Sequence, residues 1–157
     1  MDTILGLSVP AFTLLHTIIS LIGIAAGLLL FLGWAQGKWS NLWNGIFLVF
    51  TILTSVTGFF FHSKAFGPPH VVGVISLIVL AASLIALYGY NRAGIWRPTY
   101  AITAAIAQWF NIFVLITQMF QKIPVLASLP PAAGLVAQGA GLLLMVWLGW
   151  RAVKSRV

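Results

Sequence analysis

Long apolar runs separated by short polar turns recur five times along the chain, at about 10–33, 41–61, 70–88, 98–120 and 131–152. Each run matches the roughly 20 residues that a helix needs to cross the hydrocarbon core of a bilayer. Prolines at 10, 68–69, 98 and 131 stand at or beside four of the five starts, where the missing N–H costs nothing. The pattern predicts an all-α fold, with one transmembrane domain over 1–157 built as an antiparallel bundle of five helices. The connections are too short for anything but sequence neighbours packing side by side. The longest of them, Gln121 to Pro130, is apolar enough to lie in the interface as a cap. The first run follows a start without basic residues and is expected to be an uncleaved first span rather than a signal peptide.

Inside the runs, the polar and small residues are not scattered. Lipid gives helices no hydrophobic reason to associate, so such residues mark packing faces. Thr13, His16, Ser20, Gly23 and Gly27 follow one another at spacings of three and four on the first helix, and Asn44, Thr51, Ser55, Gly58 and His62 form a comparable stripe on the second. His70, Gly73 and Ser76 mark the third. Gln108, Asn111 and Gln118 share a row on the fourth, and Gly134, Gln138 and Gly141 lie on the fifth. The expectation is a bundle with a slightly polar seam, whose hydroxyls and glycines serve packing and whose amides are free for packing or for a ligand.

Composition agrees with a membrane protein: 61% of residues are hydrophobic and 6% charged, with a mean hydropathy of +1.08. The net charge of +7 reflects a single acidic residue, Asp2, rather than a basic run, so nucleic-acid binding is not expected. The basic residues divide by side. Lys38, Arg92, Arg97, Arg151, Lys154 and Arg156 share one surface, and Lys64 and Lys122 the other. Basic loops stay in the cytoplasm, which predicts an external N-terminus and a cytoplasmic C-terminus. Trp34, Trp39, Trp43, Trp96, Trp147 and Trp150, with Tyr88, Tyr90 and Tyr100, gather on that same inner side, as interfacial aromatics do.

Candidate chemistry rests on three histidines. His16 lies within a turn of the outer boundary, about 3 Å of rise from it, while His62 closes the second run and His70 opens the third. All three are expected at similar depth. A haem b held by His16 and His70, with Gly23 and Gly73 against the porphyrin, is one expectation. A zinc or copper ion on His16, His62 and His70 is another, with Asn111, Gln118 and Gln138 nearby as further ligand contacts. A proton-linked role needs only one of them. The chain has no cysteine, which removes thiolate ligands and cysteine nucleophiles. No span has a charged residue in its middle, so a carboxylate relay is missing. No catalytic residue is assigned, and an enzyme acting alone is not expected.

The segments TSVTGF (54–59), PPHVVGVISLIVLA (68–81), NIFVLITQMFQKIPVL (111–126) and HTIISLIGIAAG (16–27) resemble a group of small, uncharacterised hydrophobic membrane proteins of proteobacteria. The resemblance covers most of the chain. It implies a multi-pass protein of the bacterial inner membrane and favours His16, His70, Asn111 and Gln118 over His62, where the group's turn usually reads differently. It names no reaction. Three functions are therefore expected in order: a haem- or metal-binding protein serving electron transfer, a structural or accessory subunit binding lipid or a protein partner in a homo-oligomer or larger complex, and a channel or carrier for a small neutral solute.

Overall fold

The computed structural model describes residues 2–63 and 65–157; Lys64, assigned above to the outer surface, lies outside the described residues. The described residues open with a small hairpin, β1 (Thr3–Ile4) and β2 (Leu7–Ser8), paired antiparallel. Its two-residue turn, Leu5 and Gly6, has both φ angles positive (51° and 82°), the turn whose twist matches the strands. This hairpin was not foreseen, because four strand residues inside an apolar run carry no period.

The helices follow as α1 (Val9–Ala35), α2 (Asn41–Gly58), α3 (Pro68–Leu84), α4 (Trp96–Lys122), α5 (Pro124–Ala127) and α6 (Pro131–Lys154). Five of them are long and apolar enough to cross a membrane, α3 being lengthened by a π-helical turn over Ile85–Gly89. Their starts are written locally. Ser8 accepts from the Ala11 N–H (3.4 Å) and Ser40 from the Trp43 N–H (3.2 Å), and Pro10, Pro68 and Pro131 occupy first-turn positions. The second helix ends at Gly58, earlier than the apolar run suggested. Phe61 is drawn back instead onto Phe12 and His16, with ring centroids 5.1 Å from each.

The long helices close a ring, each touching the next in chain order and α6 returning to α1, while α1 and α4 also meet across the middle. One end of the bundle carries His16 and His70 and the other carries Trp34, Trp39 and Tyr100; they are called here the histidine end and the tryptophan end. Side chains at the tryptophan end are the more deeply packed. Trp34, Phe31, Phe47 and Tyr100 are fully buried there, so Trp34 and Tyr100 are core residues rather than the interfacial anchors expected. The Tyr100 hydroxyl donates to Asn44 Oδ1, and Trp34 stands 4.9 Å from Trp39 and 5.9 Å from Tyr100 between centroids.

On α1, close approach is set by glycine at two places. A Cβ at Gly23 would lie 3.3 Å from the Phe50 backbone of α2, and one at Gly27 would stand inside the Gln108 amide of α4. Both sit on the small-residue stripe of α1, and both let a neighbouring helix come nearer than side chains would allow.

Candidate functional site

The polar seam is an interhelical bonding network. Gln108, fully buried, donates through Nε2 to the Ile24 carbonyl (2.8 Å), joining α4 to α1 over the face of Gly27. Asn111 donates to Thr51 Oγ1 (3.2 Å) and joins α4 to α2. The Ser83 hydroxyl donates to Thr103 Oγ1 (2.7 Å), joining α3 to α4, while Thr103 itself donates to the Thr99 carbonyl. Buried amides and hydroxyls away from water need such partners, and here they find them on facing helices. The remaining amide oxygen of Gln108 has no donor among the described residues.

At the histidine end the three imidazoles go separate ways. His16 is half-buried, with Nδ1 2.7 Å from Thr57 Oγ1 on α2. The Thr57 hydroxyl has one proton, and it points to the Leu53 carbonyl at 2.6 Å. With that proton on the carbonyl, Nδ1 of a neutral His16 is the donor and Nε2 carries no proton.

His70 is fixed in the opposite sense. The Gly67 N–H donates to its Nδ1 (3.0 Å), closing the start of α3 from its third position as a capping side chain does. The proton is then on Nε2, which donates to Ser63 Oγ (3.2 Å), and Ser63 in turn donates to the Ala65 carbonyl (3.0 Å). Phe66 stacks on the ring at 5.1 Å. Both nitrogens are engaged in shaping the loop between α2 and α3. His62 is exposed on that loop.

The expected metal set of His16, His62 and His70 is accordingly not brought together, and among the described residues no group of three or more His, Cys, Asp or Glu side chains is placed to hold a metal ion. The donor set does not fit a bis-histidine haem either. An axial imidazole offers a bare nitrogen, and His70 has none. The amides disperse as well. Asn111 lies in the core with Thr51. Gln118 is exposed, because α4 at that height packs on α6 through Phe113 and Thr117, and adjacent residues stand about 100° apart round a helix.

Gln138 has a place of its own. From α6 it donates through Nε2 to the Phe113 carbonyl (3.0 Å) and to Thr117 Oγ1 (3.1 Å), while the Thr117 hydroxyl donates to the same carbonyl (2.9 Å). It lines a groove of about 340 Å³ between α4 and α6 with Phe113, Ile116, Phe120 and Gly134.

The tryptophan end carries a feature that sequence reasoning missed. Arg92 lies 3.6 Å over the Trp39 ring, and its Nη1 and the Trp34 Nε1 both donate to the Val157 carbonyl (3.4 and 3.1 Å). Burial pulls the Arg92 pKa below the ordinary arginine value, with Tyr100 opposing and Arg97 adding to the shift, yet a guanidinium remains charged at any physiological pH. Arg151 donates to the Ala35 carbonyl at the end of α1 (3.0 Å). The basic residues that set the charge asymmetry thus also tie the last turns of α1 and α6 together. The sequence signal was the alternation of Trp and Arg in the turns, read there as topology alone.

Set against protein-family models, curated proteins and solved structures, the chain matches none.

Proposed function

We propose that this chain is a multi-pass protein of a bacterial inner membrane, N-terminus outside and C-terminus in the cytoplasm, acting as a non-catalytic structural or accessory subunit. The observation that supports this reading is the use of the seam. Gln108, Asn111, Thr51, Ser83 and Thr103 spend their hydrogen bonds on joining α1, α2, α3 and α4 to one another. The outer faces remain apolar, as with Leu135, Val136 and Leu143 on α6, which suits lipid or the apolar face of a partner subunit. The inner-membrane location rests on the resemblance described above, and the orientation on the basic residues at the tryptophan end.

One specific feature favours a second reading in which a ligand is held. His16 Nδ1 is in hydrogen-bond contact with Thr57 Oγ1, and with its proton on Nδ1 the ring presents a bare Nε2. Such a site would be built on His16 alone and not on the histidine pair.

The spectrum of the detergent-purified protein, air-oxidised and then dithionite-reduced, separates the two. A featureless visible region from cells supplied with haem is expected. A Soret band that disappears in His16→Ala would overturn the cofactor-free reading. Orientation is tested on the cysteine-free background with Ser8→Cys and Ser155→Cys and a membrane-impermeant maleimide. The first variant labels from outside in intact cells and the second only after permeabilisation; the reverse result refutes the topology.

A further inference from the structure

We infer that a second groove between α4 and α6, at the tryptophan end, binds an anionic phospholipid, with an acyl chain in the groove and the head group on Lys154. The inference rests on the chain sitting in a bilayer, as proposed above.

The shape of the groove selects a hydrocarbon chain. It encloses about 280 Å³ and is walled by Ile106 and Trp109 of α4 and by residues of α6 from Leu142 to Val153. At about 1.5 Å of rise per residue those two positions stand about 16 Å apart along the helix. That is the depth of one leaflet, half of the roughly 30 Å hydrocarbon core. Leu142 lies at the middle of α6 and Val153 beside its end, so the groove runs from the bilayer centre to the surface at the tryptophan end. None of its lining residues has a charged, hydroxyl or amide side chain. A polar solute would be desolvated there with nothing in return. An acyl chain is what a bilayer supplies at that length, and Val146, 59% exposed, leaves the groove open to it.

The mouth of the groove selects the head group. Trp150 forms part of the wall, and the ammonium of Lys154, an exposed residue in the last turn of α6, stands 4.7 Å from the centroid of its ring. Two other cations at this end, Arg92 and Arg151, are spent on carbonyls of the chain, those of Val157 and Ala35. Lys154 has no acidic side chain to pair with. The sequence contains one, Asp2, which precedes β1 at the histidine end. A positive charge beside an apolar slot of leaflet depth is complementary to a lipid whose head group carries net negative charge. A choline or ethanolamine head also offers a phosphate, but it adds an ammonium of its own, which Lys154 and its basic neighbours repel.

The test uses the full-length protein in a neutral detergent, with phosphatidylglycerol and phosphatidylcholine of identical acyl chains each titrated at low ionic strength and read by native mass spectrometry. Phosphatidylglycerol is expected to bind about fivefold more tightly, the effect of one basic side chain beside an anionic lipid. Lys154→Gln should remove that preference. Lys38→Gln, at the same end but in the turn between α1 and α2 and away from the groove walls, should keep it. Val146→Trp, which fills the groove from an exposed position, should weaken both lipids alike. Equal binding of the two lipids to the wild type, or no binding, overturns the proposal without recourse to any variant. A preference that survives Lys154→Gln, or undiminished binding in Val146→Trp, overturns it as well. A wild-type protein that resists alkaline carbonate extraction yet shows no preference sinks the lipid site and spares the membrane reading; release by carbonate sinks the membrane reading itself.

Discussion

Gly27 is the position at which a single methyl group has the most to disturb. Its neighbour across the bundle is the Gln108 side chain, fully buried and bonded through Nε2 to the Ile24 carbonyl. A Cβ at position 27 would stand 2.5 Å from Gln108 Cδ and 2.9 Å from Nε2, and nearer still to Oε1. An exposed glutamine would swing aside, but this one is enclosed on every side. Gly27→Ala therefore costs overpacking of about 1–3 kcal/mol. It also breaks or strains the bond to Ile24, worth about 0.6–1.5 kcal/mol. Against this stands a gain of at most about 1 kcal/mol in helix propensity. With the full propensity gain subtracted, the net expectation is a loss of about 0.6–3.5 kcal/mol. Reversible unfolding in mixed micelles, followed by tryptophan fluorescence, measures it. Gly45→Ala is the control, because nothing lies within 4 Å of a Cβ there and only the propensity gain applies. In Gly27→Ala with Gln108→Ala the methyl group has room, so the double variant should be more stable than the sum of the single losses by about 1–3 kcal/mol. A Gly27→Ala protein as stable as the wild type, or strict additivity in the double variant, would refute the reading of Gly27 as the seat of Gln108.

Three further outcomes follow from the same structure. Thr57→Val removes the hydroxyl that faces His16 Nδ1, so nitrogen NMR of labelled histidine should change from one dominant tautomer to a mixture, whereas Thr57→Ser should keep it; an unchanged spectrum in the valine variant would dismiss the control of the ring by Thr57. His70→Ala removes the acceptor of the Gly67 N–H and should cost about 0.5–2 kcal/mol at the start of α3, seen as faster amide exchange at Gly67, position 70 and Val71 with the rest of the bundle unaffected. Exchange that is uniform across the chain would point to a different role. Arg92→Ala should cost about 0.5–2 kcal/mol and alter tryptophan emission through Trp34 and Trp39, with Arg92→Lys losing less; equal effects from both would argue against the ring contact.

Much of the fold was legible from the apolar runs, because crossing a bilayer imposes a length and a composition on each helix that local sequence must supply. Three helix starts were legible for the same reason: Pro10, Pro68 and Pro131 act on their own first turn. The stripes on α1, α2 and α4 identified residues that do meet, Gly27 with Gln108 and Thr51 with Asn111 among them. The pairing itself was not legible. Which side chain faces which depends on the rotation of each helix about its axis and on how closely backbones approach, and both are set by contacts across long stretches of chain. Gln118 shares a row with Asn111 and is nonetheless exposed, since no neighbour packs on that side of α4 at its height. Trp34 and Tyr100 look like interfacial anchors and are core residues, because the turns fold over the tryptophan end. The histidines show the difference most clearly. Sequence alone placed His16 and His70 at one end of the bundle, while the tertiary structure gave each ring its own partners, Thr57 for one and Gly67 with Ser63 for the other. Depth in a membrane is a property of position along a helix, but the state of an imidazole belongs to whatever stands within 3 Å of it.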